Sequence, residues 1–132
     1  MSIDYHIIQK AIYEKLSGNS QILSLVNGIF DVPPQDADFP FITIGGSQVN
    51  ILDKLSGGNV EYIFEINVWS RKSGRKELVD IMDLIYDEFH NNIINISGKE
   101  ILSARIVSHD INMENDGYTY NGALRIRILL KV

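Results

Sequence analysis

Apolar positions recur along this chain with two different periods. Ile8, Ala11, Ile12 and Leu16 return every three or four residues, the spacing that gathers side chains on one face of a helix. This predicts a helix over residues 4–17, with Ser2 as N-cap, Asp4 favourable in the first turn and Gly18 as the stop. A short second helix follows, capped by Asn19 or Ser20 and ended by Asn27-Gly28, with Ile22, Leu23 and Val26 turned inward. Leu78, Ile81, Met82, Ile85 and Phe89 form the clearest stripe and predict a helix over residues 77–89. Asp80, Asp83, Asp87 and Glu88 lie off that stripe.

The other period is two. In residues 60–69, Val60, Tyr62, Phe64, Ile66 and Val68 share one face, and Glu61, Ile63, Glu65, Asn67 and Trp69 share the other. Residues 118–132 repeat the pattern, with Tyr120, Leu124, Ile126, Ile128 and Leu130 against Thr119, Arg125, Arg127 and Lys131. Further strands are predicted at 29–31, 41–48 and 100–108. Val32-Pro33-Pro34 closes the first, because proline cannot donate to a ladder. Gly45-Gly46 marks a bend or bulge in the second. Residues 49–59, with Gly57-Gly58, and residues 108–117, with Asp116-Gly117, are expected as mobile connections.

The predicted order is α, α, β, β, β, α, β, β. It implies an α+β fold, an antiparallel sheet of four to five strands with the two main helices packed on one face. The opposite face keeps Glu61, Glu65, Arg125 and Arg127 near water, where opposite charges pair across strands. No repeat, low-complexity tract or linker interrupts the chain, so residues 1–132 read as one domain. At this length roughly two-thirds of the unfolded surface can be buried, enough for a core without staples.

Composition narrows the possibilities by exclusion. The chain has no cysteine, which removes disulfides and thiolate metal sites. Met1-Ser2-Ile3-Asp4 lacks the basic region and apolar run of a secretory signal, and no apolar stretch has the length of a membrane span. The net charge of −5 argues against specific nucleic-acid binding, which leaves a basic footprint. No cofactor motif is present: Ser73-Gly74-Arg75-Lys76 lacks the rest of a phosphate loop.

Two clusters remain as candidates. His109 with Asp110, Glu114 and Asp116 is the one acid-rich stretch beside a histidine. As a site it implies a small metal-dependent enzyme; as ordinary sequence it is a solvated loop. The run Arg71-Lys72-Ser73-Gly74-Arg75-Lys76 carries four cations and fits either an acidic protein neighbour or a solvated loop. Trp69 beside it, and Tyr5, Tyr13, Tyr118 and Tyr120, read as packing or subunit contacts, since no basic stripe interleaves with them.

A set of ordered landmarks resembles one family. They are Ala11-Ile12-Tyr13-Glu14-Lys15-Leu16, Ile22-Leu23-Ser24-Leu25-Val26, Gly28-Ile29-Phe30-Asp31-Val32-Pro33-Pro34 and Phe39-Pro40-Phe41-Ile42-Thr43-Ile44-Gly45. Phe64-Glu65-Ile66-Asn67-Val68-Trp69-Ser70-Arg71 follows, then Gly74 with an amphipathic helix, then Asp116-Gly117 before the last strand. In this order they resemble the tail terminator, or tail completion, proteins of siphophages, prophages and gene transfer agents. The chain differs from that pattern in being rich in Ile and Asn where Ala and Leu are expected.

The resemblance implies a structural virion protein with no catalytic residues, no cofactor and no metal. Such proteins form a ring, usually of six copies, on the head-proximal end of the tail tube, assembled in the bacterial cytoplasm. The ring ends tube polymerisation and meets the head connector, so the implied partners are other copies of the chain, the major tail tube protein and the connector. Another neck or head-completion component of the same particle is the alternative within that class. Ile51, Leu52 and Leu55 on the 49–59 connection, with Arg71, Lys72, Arg75 and Lys76, are the candidate subunit or tube interface.

Overall fold

The period-two segments become the centre of a sheet. A computed structural model of the chain describes residues 5–52, 58–90, 92, 94, 96 and 98–131. In it β3 (Asn59–Ser70) buries Val60, Tyr62, Phe64, Ile66 and Val68, and β5 (Tyr120–Lys131) buries Leu124, Ile126, Ile128 and Leu130. The two strands pair antiparallel, with Phe64 opposite Ile126 and Glu65 opposite Arg125. β2 (Phe41–Ile51) pairs antiparallel with β3, and β4 (Glu100–Met113) pairs antiparallel with β5.

β1 (Ile29–Phe30) runs parallel to β2, giving the order β1-β2-β3-β5-β4. The sheet is therefore mixed, which corrects the expectation of a purely antiparallel one. The connection between β1 and β2 carries Pro33, Pro34 and Pro40 and is too long for a tight hairpin. It returns the chain to enter β2 in the direction it left β1.

Both main helices cover the same sheet face, as the two stripes require. Ile8, Ile12 and Leu16 of α1 (Tyr5–Ser17) and Leu78, Ile81, Ile85 and Phe89 of α3 (Lys76–Phe89) join Tyr62, Phe64, Leu124 and Ile126 in one core. Each such fully buried side chain contributes about 1.5–3 kcal/mol. The expected caps at Ser2 and Asp4 lie outside the described residues. Asn19 caps α2 (Ser20–Leu25), accepting the N–H groups of Gln21 and Ile22. Only Ile22 of that helix is buried; Leu23 is 48% exposed, contrary to its expected inward role. A helix of under two turns offers few inward positions.

Two local details fix α3 over the sheet. A side chain at Gly122 would run into the Met82 sulfur, so the glycine permits the close approach of α3 to β5. The buried Ser70 hydroxyl donates to Glu77 at 2.7 Å and accepts the Lys72 N–H. This bond ties the end of β3 to the first turn of α3, whose N-cap Arg75 makes no side-chain cap.

The connections are shorter than the sequence suggests. β2 continues to Ile51, β3 starts at Asn59, and the Leu52 N–H donates to the Asn59 carbonyl. The expected connection over 49–59 thus contracts to 52–58, and Leu55 lies outside the described residues. β4 continues to Met113, so residues 108–113 are strand, and the turn to β5 is confined to 114–119. The bulge expected at Gly45-Gly46 is present, between Gly45 and Gln48, with Gly46 at a φ of +57°.

Candidate assembly surfaces

On the face without helices, polar residues form a ladder. Arg127 donates to Glu61, which also accepts from Asn50 at 2.8 Å. Arg125 lies 3.2 Å from Glu65 and 3.1 Å from Asp110, and Asn121 donates to Asn67 at 3.1 Å. The hydrogen bonds from Arg127 and then Asn50 hold the Glu61 carboxyl below its ordinary value of 4.5. This is the cross-strand pairing that the alternation of Glu61 and Glu65 with Arg125 and Arg127 implied.

At one end of the ladder the basic run separates into unlike parts. The Arg71 guanidinium sits 4.1 Å from the centre of the Phe39 ring and 4.9 Å from that of Tyr118, and its Nε donates to Thr119 at 3.0 Å. Lys76 pairs with Asp80 at 2.9 Å, one helical turn on, and that hydrogen bond raises its pKa. Lys72 and Arg75 are exposed, with no ion pair among the described residues. Arg71 is thus a clamp on two loops, and only Lys72 and Arg75 face outward uncommitted. Trp69 packs as expected: its indole N–H donates to Thr43 at 3.0 Å and its ring stacks on Phe41.

The acid-rich stretch does not converge. His109 pairs with Leu124 on the helix side of the sheet, while Asp110, the next residue, lies on the other side against Arg125. Asp116 accepts the backbone N–H groups of Tyr118 and Thr119 and the Thr119 hydroxyl. The Thr119 hydroxyl and the Tyr118 N–H lower its pKa most, with Arg71 adding to the effect. Among the described residues no three His, Cys, Asp or Glu side chains are placed to hold a metal ion. Alternation in β4 separates His109 from Asp110, and Asp116 is occupied in building the turn, so these side chains do not meet at one point.

Apolar side chains are left open at the end of the β2–β3 hairpin, where Ile51 and Leu52 are 47% and 48% exposed. Two grooves also open on the helix side of the sheet. One, about 120 Å3, lies between α3 and β4 and is lined by Val79, Met82, Asp83, Tyr86, His109 and Ile111. The other, about 300 Å3, lies between α1 and the β1–β2 edge, lined by His6, Gln9, Lys10, Tyr13, Asp31 and Ile44. Periodicity alone cannot show either groove, because each joins residues far apart in the chain.

Comparison with known sequences and structures adds what the geometry alone does not carry. The family described as tail completion protein gp17 matches residues 10–131. The chain belongs to the gp17 tail completion family. Its relative in Bacillus phage SPP1, tail completion protein gp17, is 21% identical over 123 residues, covering 93% of this chain and 91% of the relative. The solved structure of SPP1 gp17 superposes with a TM-score of 0.69 at 21% identity, covering 99% of this chain and 92% of that one. A chain in the virion of a native gene transfer agent particle superposes with a TM-score of 0.87 at 16% identity, covering 98% of this chain and all of the other. As a gp17-family tail completion protein, this chain is a structural component of a phage-like virion and not an enzyme. No helix among its described residues is long and apolar enough to cross a membrane.

Proposed function

We propose that this protein caps the head-proximal end of a tail tube as a ring, usually of six copies. There it ends tube polymerisation and presents the surface that the head connector joins. Membership in the tail completion family over residues 10–131 carries this reading. The partners are other copies of the chain, the major tail tube protein and the connector.

Surface chemistry supports the assignment. Ile51 and Leu52 stand half-exposed at the end of the hairpin, an arrangement that contact with a partner would relieve. With Lys72 and Arg75 they form the tube-facing or subunit-facing surface, and Leu55, outside the described residues, is assigned to it by its position in the same connection. Arg71 and Lys76 belong to its edge, since both already have partners within the chain. The net charge of −5 per copy disfavours the phosphate contacts that would hold DNA passing through such a ring. The protein binds no specific nucleic acid and no membrane, and it assembles in the bacterial cytoplasm before residing in the virion.

Tail length tests the reading. Leu52→Asp with Leu55→Asp should leave stability within about 0.5 kcal/mol of the parent, as at ordinary surface sites. The same variant should give overlong tails or tails that do not join heads. Normal-length tails on complete particles would contradict it.

A further inference from the structure

The two grooves on the helix side lie at opposite edges of the sheet but at one height. A single row of the ladder runs Ile44–Ile66–Leu124–His109, from β2 across β3 and β5 to β4. Ile44 lines the groove beside α1; His109 and Leu124 line the groove beside α3. This placement would let a second copy set beside the first, with its helices on the same side, turn its α1 side toward the α3–β4 groove of the first.

Their chemistry is complementary. The α3 groove is mainly apolar, with Val79 and Tyr86 each more than a third exposed, and it carries Asp83, which has no ion pair among the described residues. At about 120 Å3 it is below the roughly 300–1,000 Å3 of a small-molecule site and suits one or two protein side chains. The facing surface of α1 supplies His6, Lys10 and Tyr13, the last 45% exposed. Among the described residues Lys10 pairs only with Glu14 of its own helix, at 3.9 Å with both side chains about two-thirds exposed, so it is held weakly.

We propose that the α3–β4 groove of one copy receives the α1 face of the next, with Tyr13 seated near Val79 and Tyr86 and Lys10 paired with Asp83. The contact is heterologous, joining unlike surfaces, and such contacts form a ring when the rotation between copies closes. The inference rests on the ring reading for its biological purpose and names the self-interface that the ring requires.

The chain has no cysteine, which permits a direct test on the full chain. Tyr13→Cys and Val79→Cys proteins are prepared separately, then incubated alone or mixed, with and without purified tail tubes, and treated with a short bis-maleimide. Linked dimers in the mixture and not in either protein alone are the expected result. Lys10→Asp and Asp83→Lys should each lose self-association at least tenfold alone, and recover it when mixed, because each then supplies the charge the other lacks. Linking within Tyr13→Cys alone, or no linking in any sample, overturns the proposal. Capped tubes without the mixed link overturn this interface and leave capping intact. Linked oligomers that do not bind tubes keep the interface and remove the capping role.

Discussion

Arg71 and Phe39, 32 positions apart in the chain, meet face-on with the guanidinium 4.1 Å from the ring centre. The same group reaches Tyr118 and Thr119. It therefore joins the segment leading into β2 to the turn before β5. A cation over an aromatic ring at an exposed site is worth about 0.5–1 kcal/mol. Arg71→Ala is expected to lower stability by about 1 kcal/mol. Lys72→Ala and Arg75→Ala should change it by less than about 0.5 kcal/mol. Chemical denaturation of the three variants checks this ordering.

Phe64 is buried between Tyr62, which stacks near it, and the facing strand residue Ile126. Phe64→Ala removes most of a ring from the middle of the core and should cost about 3–5 kcal/mol. A denaturant midpoint unchanged by the substitution would show that the residue does not pack there.

Gly122 gives a less obvious expectation. Any side chain at this position meets Met82 and Leu78 of α3. Gly122→Val has high strand propensity, yet overpacking should make it destabilising by about 1–3 kcal/mol. A combined Gly122→Val, Met82→Ala variant should recover part of that loss, which thermal melts of the two proteins would show.

Acid tests the polar ladder. Arg127 and Asn50 lower the Glu61 pKa from its ordinary 4.5. A carboxylate lowered on folding adds stability that is full above its unfolded value and disappears as pH falls through its folded value. For this half-buried pair the effect is on the order of 1 kcal/mol or less. Wild-type protein should lose more stability than Glu61→Gln on going from about pH 5 to about pH 3. Equal losses would mean that the pair is not formed in solution.

Much of this fold can be read from period alone. Tyr62, Phe64 and Ile66 alternate, Leu78, Ile81 and Ile85 recur at helical spacing, and one buried face must cover the other. The direction of β1 is not legible, because two residues, Ile29 and Phe30, carry no signal for parallel or antiparallel pairing. Nor is the length of β4: residues 108–113 are polar enough to resemble a loop, yet each is held against Tyr120–Arg125 of β5. Exposure is legible where it follows from local sequence, as at Leu52. Local sequence does not separate Arg71 from Lys72 and Arg75, because its partners Phe39 and Tyr118 are distant along the chain. The grooves required the register, which sets Ile44 and His109 in one row.

Electron microscopy of the purified protein mixed with its own tail tubes tests the central claim most directly. The account predicts a ring of density on one end of each tube, the end that meets the head, and no further tube growth from that end. Bare tube ends, or protein bound along the tube wall, would contradict it.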